Sequence, residues 1–399
     1  MRQPQVLTFV RAYLPGFKSG GSLRTVASMV ERLGDEIAFS IVTSDRDVGD
    51  AERYPGIRSG VWQTVGKSRV LYLAPAEKTL SRLRSIVRAT PHDMVYLNSF
   101  FDPTFTIRPL LLRRLGAIPK RPVIIAPRGE FLPSALRLKR YKKRPYLAVA
   151  RPAGLYAGVT WHASTEAEAL RIREWFGADA EVLVAPDLAA PIPTAGSARP
   201  KPPGTLRLVF LARIDRTKNL EGALAALRQL DGEVVLDIYG PLADPAYWEE
   251  CRRLLAALPN NVRASYRGMV PHEQIPTVLA DYDALFLPSR GENFGHAILE
   301  ALAAGRPVII SDRTPWRGLA ERSAGWDLPL EQPAAFAEVL QRCVAMSAEE
   351  YAKWSRGAHA YALDWQATAT VVDRNRALFG AVLSGAARPA AAACCSEAG

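Results

Sequence analysis

Short apolar runs alternate along the chain with stretches whose apolar residues recur at helical spacing. This alternation indicates βαβ units, in which helices cover both faces of a parallel sheet. The first group of predicted strands covers residues 6–10, 39–44, 70–74, 94–98, 123–127, 159–164 and 182–186, and the second covers 206–212, 234–240, 284–289 and 307–312. The sequence therefore predicts an α/β protein with two Rossmann-like doubly wound domains facing each other across a cleft. Ligands of such sheets bind beside the carboxyl ends of the strands, so candidate chemistry is sought just after each strand.

A stretch rich in Pro, Gly and small residues at 191–205 separates the two groups of strands and indicates a linker. The low complexity of residues 384–399 indicates a disordered tail. The predicted divisions are an N-terminal domain at 1–195, a linker at 196–205, a C-terminal domain at 206–365, a helix at 366–383 and the tail at 384–399.

The composition agrees with two buried cores, because 48% of the 399 residues are hydrophobic. No apolar run approaches the roughly 18 residues of a membrane-spanning helix. The first ten residues enter a strand pattern directly and lack the apolar core and cleavage site of a signal peptide. Cys251, Cys343, Cys394 and Cys395 show neither metal-ligand spacing nor a disulfide framework, which favours a reducing cytoplasm.

The formal net charge of +11 is concentrated in one segment. Residues 137–151 hold seven Lys or Arg and no acid, and the other 44 basic residues nearly balance the 40 acidic ones. Such a segment favours an anionic partner. We expect residues 136–151 to bind the inner face of a cytoplasmic membrane, with a solvated basic loop as the alternative. The apolar residues among the cations are Leu136, Leu138, Tyr141, Tyr146, Leu147 and Val149.

Two further expectations concern this basic segment. Pro145 should interrupt a continuous helix and give a helix–turn element. The segment offers few base-stacking aromatic residues beyond Tyr141 and Tyr146, and the chain contains no known nucleic-acid-binding motif. We therefore expect no nucleic acid as a partner.

The densest cluster of candidate residues, 290–296, follows the predicted strand 284–289 and opens a helix that Gly305 closes. The exposed N–H groups and positive dipole end of that helix suit a phosphate. Glu292 lies in the loop before the helix, and Glu300 lies about two turns inside with its side chain tilted back toward the start. Because carboxylates repel a diphosphate, sugar hydroxyls are their natural targets, the transferred hexose for Glu292 and the ribose for Glu300. Two solvated helix glutamates are the alternative.

Two cations follow the predicted strand 206–212. Arg213 and Lys218 precede a helix, where their charges can neutralise a diphosphate leaving group without a metal ion. By themselves two surface cations would be a weak signal.

Residues 206–318 resemble the donor domain of the family-four retaining glycosyltransferases, which have the GT-B architecture. Glu292 and Glu300 stand where that family has the two acids of its E-x7-E motif, within ENFGHAILE. Arg213 and Lys218 match the arginine–lysine pair that holds the donor phosphates. Residues 267–289 are similar to the stretch that leads into the motif. The resemblance implies donor contacts from Gly268, Val270, Asn293, Phe294, Gly295, His296 and Glu300, and catalytic roles for Glu292, Arg213 and Lys218.

In the first half, Gly20 and Gly21 follow the first strand and open a helix. Their N–H groups can cradle a phosphate, although the loop is neither a Walker A motif nor G-x-G-x-x-G. The resemblance implies that this loop contacts the donor diphosphate. It also implies that the helix at 366–383 crosses back to the first domain.

Residues after two other strands of the first half are candidates for the acceptor side. Arg128 and Glu130 follow strand 123–127, and Asn98 ends strand 94–98. Many relatives carry a histidine near Arg128, and its absence here leaves the general base unassigned. His162 lies inside a strand pattern and is interpreted as a core residue.

The short acidic triplet Asp45-Arg46-Asp47 has the D-x-D form that binds a metal in the other major glycosyltransferase fold. We interpret it as a surface turn, because the other motifs require the two-domain fold. No metal and no other cofactor is therefore expected.

The resemblance implies a retaining glycosyltransferase that moves a hexose-type sugar from a UDP- or GDP-sugar to a glycan or lipid-linked acceptor, in surface polysaccharide synthesis of the bacterial type. Two alternatives remain within the same scaffold. One is an inverting enzyme, which would need a positioned general base. The other is a non-catalytic protein that binds nucleotide sugars.

Overall fold

The first half of the chain forms an eight-stranded sheet in the computed structural model, which describes residues 2–137, 140–192, 200–367 and 370–385. The strands are β1 (Gln5–Phe9), β2 (Ala38–Ser44), β3 (Trp62–Val65), β4 (Ser68–Leu73), β5 (Met94–Asn98), β6 (Val123–Ala126), β7 (Thr160–Ala163) and β8 (Val182–Val184). Their order is β3-β4-β2-β1-β5-β6-β7-β8, and every pair is parallel except β3 with β4.

Helices cover both faces of this sheet: α1 (Gly21–Leu33), α2 (Leu80–Ala89), α3 (Arg108–Arg114), α4 (Pro133–Arg137), α5 (Arg140–Ala150) and α6 (Glu166–Phe176). Alternate residues of β1 enter two different cores, Leu7 and Phe9 on one face and Val6 on the other. This double burial is why the central strands read as continuous apolar runs.

The second half forms a six-stranded, fully parallel sheet of order β11-β10-β9-β12-β13-β14. Its strands are β9 (Thr205–Leu211), β10 (Glu233–Tyr239), β11 (Val262–Gly268), β12 (Ala284–Leu287), β13 (Val308–Ser311) and β14 (Gly325–Leu328). Its helices are α7 (Leu220–Leu227), α8 (Pro245–Ala256), α9 (Ile275–Ala280), α10 (His296–Ala303), α11 (Pro333–Ala345) and α12 (Ala348–Ala367). The prediction of two doubly wound α/β domains is confirmed.

The last described helix, α13 (Thr370–Ser384), returns to the first sheet. Its residues Leu378 and Phe379 are buried in the first domain's core, and the ring centroid of Phe379 lies 5.5 Å from that of Tyr96. The guanidinium of Arg376 donates hydrogen bonds to both carboxylate oxygens of Glu36, at 2.6 Å from Nε and 2.8 Å from Nη2. The chain thus crosses between the domains twice. Residues 193–199, which include the first four of the predicted linker at 196–205, and residues 386–399 of the predicted tail lie outside the described residues.

The helix–turn prediction for the basic segment is wrong, because α5 continues through Pro145. A proline inside a helix removes one backbone hydrogen bond, which costs about 3 kcal/mol in an isolated helix. Packing offsets this cost: Leu147 and Ala150 are buried, and Tyr146 packs against Phe100. Residues 138 and 139 of the segment lie outside the described residues.

Candidate active site

An ion pair joins two of the sequence-predicted residues at the carboxyl edge of the second sheet. Lys218 Nζ lies 2.6 Å from Glu292 Oε1, and their side chains are only 14% and 9% exposed. Ser289 Oγ donates a second bond to the same carboxylate oxygen at 2.9 Å. Arg213 is half exposed and lies 3.2 Å from Asp215. The loops after β9 and β12 therefore bring Lys218 and Glu292 together, while Arg213 forms a separate pair with Asp215 in the loop after β9.

The start of α10 is shaped by glycine. Gly295 adopts φ +85° just before the helix, and a Cβ there would lie 2.8 Å from the Ile298 side chain. Phe294 is buried, and its carbonyl accepts a 2.5 Å bond from Trp316 Nε1. The first N–H groups of α10 have no partner inside the helix, so they are open to an anion.

Glu300 lies in α10, partly buried, beside a histidine from the turn at His272–Gln274. His272 Nδ1 is 3.3 Å from Glu300 Oε1. Burial acts to raise the pKa of Glu300, but His272, His296 and Arg24 outweigh it and lower the pKa. Glu300 therefore stays an anionic acceptor, able to bind hydroxyl groups.

The start of α10 also touches the first domain. His296 Nε2 lies 3.0 Å from Thr25 Oγ1, and a Cβ on Gly21 would lie 3.3 Å from His296 Cδ2. A Cβ on Gly129 would lie 2.7 Å from Asn293 Cβ. Burial lowers the pKa of His296, which favours a neutral ring. The predicted residues Gly21, Asn293 and His296 thus meet across the cleft.

The turn that contains Gly268 and Val270, two of the predicted donor contacts, follows β11. Gly268 ends this strand with φ +82°, a left-handed conformation that suits glycine. Val270 packs against the core of the second domain. Both residues lie at the carboxyl edge of the same sheet as Lys218 and Glu292.

The expectation that Glu130 contacts the acceptor is wrong, because its carboxylate is bound within the first domain. It accepts hydrogen bonds from Ser99 Oγ at 2.8 Å and from the N–H groups of Phe100 and Phe101. Glu130 therefore anchors the loop after β5.

The expectation that Arg128 and Asn98 contact the acceptor is also wrong. Its side chain is 6% exposed and pairs with Asp187, which is equally buried. The same guanidinium donates to Tyr96 Oη at 2.6 Å and to Asn98 Oδ1 at 3.2 Å. Asn98 is itself 1% exposed. Arg128 and Asn98 are thus paired inside the domain, and neither faces the cleft as an acceptor contact.

His162 is confirmed as a core residue. Its Nε2 donates to the Ala185 carbonyl at 2.8 Å, so Nδ1 accepts from Tyr96 Oη at 2.7 Å. Burial, reinforced by the nearby Arg128 charge, lowers the pKa of His162 to about 3. The imidazole is therefore neutral in the folded protein.

We expect this neutral histidine to make the protein sensitive to acid. The unfolded chain protonates His162 near its usual pKa of about 6.5, so protons bind the unfolded chain first as pH falls toward 3. Between pH 6 and 4 the free energy of unfolding of the wild type should fall more steeply than that of His162→Gln, by about 1.4 kcal/mol per pH unit. Urea unfolding at stepped pH measures both slopes, and equal slopes would contradict a buried neutral ring.

The acidic triplet at 45–47 is not a surface turn as we had interpreted it. Asp45 and Asp47 are 1% and 4% exposed. Asp45 accepts bonds from Arg46 Nε and Ser59 Oγ, each at 2.8 Å. Asp47 accepts bonds from the backbone of the loop that precedes α1. Both carboxylates are therefore buried, and both accept hydrogen bonds from neighbouring segments of the first domain.

The described ranges contain neither a cluster of metal ligands nor a helix suited to spanning a membrane. Among residues 2–137, 140–192, 200–367 and 370–385, no group of three or more His, Cys, Asp or Glu could hold a metal ion. No helix in the same ranges combines the length and apolar character needed to cross a membrane.

Known structures share this architecture over almost the whole chain. The sucrose-phosphate synthase of Thermosynechococcus elongatus superposes with a TM-score of 0.69 at 17% identity, covering 96% of this chain and 100% of that one. Anabaena HepE in complex with UDP-glucose gives 0.63 at 16% identity, covering 95% and 99%. At such low identity these likenesses show the fold alone, which is GT-B.

Residues 195–360 match the family model described as glycosyl transferases group 1. A D-inositol 3-phosphate glycosyltransferase of Jonesia denitrificans is 32% identical over 237 residues, covering 52% of this chain and 54% of the relative. The O-antigen chain mannosyltransferase B of Escherichia coli is 30% identical over 112 residues, covering 27% and 28%. The chain thus spans about half the length, or less, of these curated relatives.

Sequence reasoning missed several residues that shape the site. Thr25, His272 and Asp187 each face a predicted residue, but nothing in the local sequence marks them. Asp47 did carry a signal, its place in an acidic triplet just after a strand.

Proposed function

We propose that this protein is a retaining glycosyltransferase that moves a hexose-type sugar from a nucleotide-diphosphate donor to a hydroxyl acceptor. The observation that carries the proposal is the Lys218–Glu292 pair at the carboxyl edge of the second sheet. Glu292 lies in the loop that leads into α10, and His296 at the start of that helix faces Gly21 across the cleft. Cations, helix N–H groups and carboxylates in one cleft suit a diphosphate joined to a sugar.

In this proposal Lys218 and Arg213 bind the donor phosphates and stabilise the charge that develops on the departing diphosphate. The first N–H groups of α10, at Gly295 and His296, add to that stabilisation. Glu292 and Glu300 accept hydrogen bonds from the hexose and the ribose. The nucleobase of the donor, uracil or guanine, lies near Gly268 and Val270.

In the single-step mechanism that we propose, retention results from attack on the same face of the sugar from which the diphosphate leaves. The departing phosphate oxygen takes the proton of the acceptor hydroxyl, so no protein base is needed in this step. Glu130, which stands near the position where relatives carry a histidine, has its carboxylate engaged by three donors. This engagement favours the retaining proposal over an inverting enzyme, which needs a free base.

The acceptor we propose is a glycan or a lipid-linked sugar, in surface polysaccharide synthesis of the bacterial type. Support comes from one relative, which is an O-antigen chain mannosyltransferase. The basic segment supplies independent support, because a lipid-linked acceptor would lie at a membrane surface.

The basic segment, residues 136–151, carries the membrane part of the proposal. On α5, Tyr141 and Val149 are 69% and 68% exposed, and the exposed Pro145 and Ala148 share their face. Leu136, Tyr146 and Leu147 instead pack into the domain core and are not available to lipid. An exposed apolar stripe among cations suits an anionic bilayer surface, where each cation contributes about 1 kcal/mol.

Vesicle co-sedimentation tests the membrane proposal. We expect binding to anionic vesicles at low salt that weakens as salt is added, and weaker binding for Tyr141→Ser/Val149→Ser. Leu170→Ser, a matched change at an exposed leucine of α6, should leave binding unchanged. The membrane proposal fails if anionic vesicles bind no protein, or if neutralising Lys139, Arg140, Lys142, Lys143 and Arg144 has no effect.

We also propose that catalysis requires no metal ion, because side-chain cations serve the diphosphate. Activity should then survive excess EDTA with little change in rate. A rate that falls to background with EDTA and returns with Mn²⁺ would contradict this proposal and support a metal-dependent enzyme.

A thermal-shift screen with UDP- and GDP-sugars tests the proposed function. One nucleotide sugar should raise the unfolding temperature, since a ligand that binds only the folded state stabilises it by mass action. The same sugar should release its nucleotide on incubation with the protein. A panel in which no nucleotide sugar shifts the unfolding temperature would overturn the proposal.

A further inference from the structure

The loop before α1 rests on a buried carboxylate from another part of the first domain. Asp47 Oδ2 accepts hydrogen bonds from the N–H groups of Phe17 at 2.6 Å and Lys18 at 3.0 Å. Its other oxygen, Oδ1, accepts a 2.8 Å bond from the N–H of Val48. With 4% exposure, Asp47 is fully occupied by backbone donors.

Two further contacts hold the same loop to the segment that contains Asp47. The Lys18 ammonium pairs with Asp50. Gly16 lies against Tyr54, so closely that a Cβ on Gly16 would be 2.2 Å from the tyrosine oxygen. We call residues 15–21 the glycine loop and residues 45–54 its support.

These contacts leave the end of the glycine loop open. No described residue accepts a hydrogen bond from the N–H of Ser19 or Gly20. Gly20 has φ +64° and ψ −137°, a conformation that favours glycine, and nothing lies within 4 Å of its ideal Cβ position. The next residue, Gly21, faces His296 across the cleft. Asp47 therefore binds the N–H groups of Phe17 and Lys18, whereas those of Ser19 and Gly20 have no acceptor among the described residues.

We infer that Asp47 is a positioning residue for the donor diphosphate. By binding the N–H groups of Phe17 and Lys18, it fixes the turn that presents the following N–H groups to phosphate. This inference rests on the proposed function, because it concerns how the same cleft binds its donor. Asp47 itself touches neither phosphate nor sugar, and its effect reaches the ligand only through the loop.

Asp47→Asn should weaken binding of the diphosphate without weakening binding of the nucleoside. An amide in place of the carboxylate loses the charge-assisted bonds and turns an NH₂ group toward backbone donors. The loop then loses its fixed turn, so affinity for the diphosphate should fall about tenfold or more. Affinity for the nucleoside, which the second domain binds, should stay the same.

Calorimetric titration with two matched pairs, UDP against uridine and GDP against guanosine, provides the test. We expect the wild type to bind one diphosphate more tightly than its nucleoside, and Asp47→Asn to lose most of that difference. Gly16→Ala should do the same, because its Cβ would clash with Tyr54 Oη and push the glycine loop away from its support. This second variant keeps the inference testable if Asp47→Asn does not fold.

Asp102→Asn is the matched control. Asp102 is also buried and accepts two backbone bonds, from Thr104 at 2.9 Å and Phe105 at 2.6 Å, but in a different loop. It should lower stability without changing the preference for the diphosphate. A preference that survives in Asp47→Asn and Gly16→Ala overturns the inference alone. A wild type that binds neither UDP nor GDP overturns the proposed function with it.

Discussion

Replacing Lys218 with methionine should lower turnover about 100- to 1,000-fold while the protein stays folded. The variant keeps the approximate length of the side chain and removes the positive charge of Lys218, to which we assign stabilisation of the departing diphosphate. Loss of one such group in other active sites costs about 2.7–4 kcal/mol of transition-state stabilisation. The measurement is the initial rate of nucleotide release from the preferred donor at saturating concentration, compared with wild type.

Arg216→Met is the matched control for this prediction. Arg216 lies two residues before Lys218 but turns away to pair with Glu250, with both side chains about half exposed. Exposed pairs of this kind contribute little, so its rate should stay near wild type. If folded Lys218→Met retains near-wild-type turnover, the assignment of the diphosphate to this part of the second domain is wrong.

Glu300→Ala should weaken donor binding and turnover about 10- to 100-fold. The carboxylate is assigned to the ribose, and a hydrogen bond to a charged group contributes about 1.5–3 kcal/mol. We expect the wild type to bind UDP or GDP more tightly than its 2′,3′-dideoxy analogue. In Glu300→Ala that difference should disappear, since the group that recognises the hydroxyls has gone.

Glu338→Ala, a change at an exposed glutamate of α11, provides the control for helix glutamates in general. It should alter neither affinity nor the preference for an intact ribose. A Glu300→Ala variant that still prefers the intact ribose would contradict the assignment of Glu300.

Most strands could be predicted from the sequence because burial on both faces leaves a continuous apolar run. The strands that were missed lack such a run. β11 carries Arg263 and Arg267 on an exposed face, so its pattern is mixed. β14 is short and begins with a glycine. β3 pairs in antiparallel fashion at the edge of its sheet.

The residues that we propose for donor binding in the second domain could be selected from the sequence because each group directly follows a strand. Fewer side-chain roles could be predicted in the first domain, because the direction of a side chain there depends on partners that are distant in the sequence. Arg128 adopts φ +53° and turns into the domain to reach Asp187, which lies 59 residues further along the chain. Asp47 holds a loop 29 to 30 residues earlier. Neither hydrogen-bonding partner can be identified from the local sequence, although Asp47 itself stands in an acidic triplet just after a strand.

The anomeric configuration of the first sugar product tests the proposed reaction most directly. The donor found in the screen can be followed by proton NMR during transfer, or during slow hydrolysis when no acceptor is present. We predict that an α-linked nucleotide sugar yields the α-anomer first, at a rate that Lys218→Met lowers about 100-fold or more. An initial β-anomer would contradict retention, and the absence of any turnover with the full donor panel would contradict the glycosyltransferase proposal.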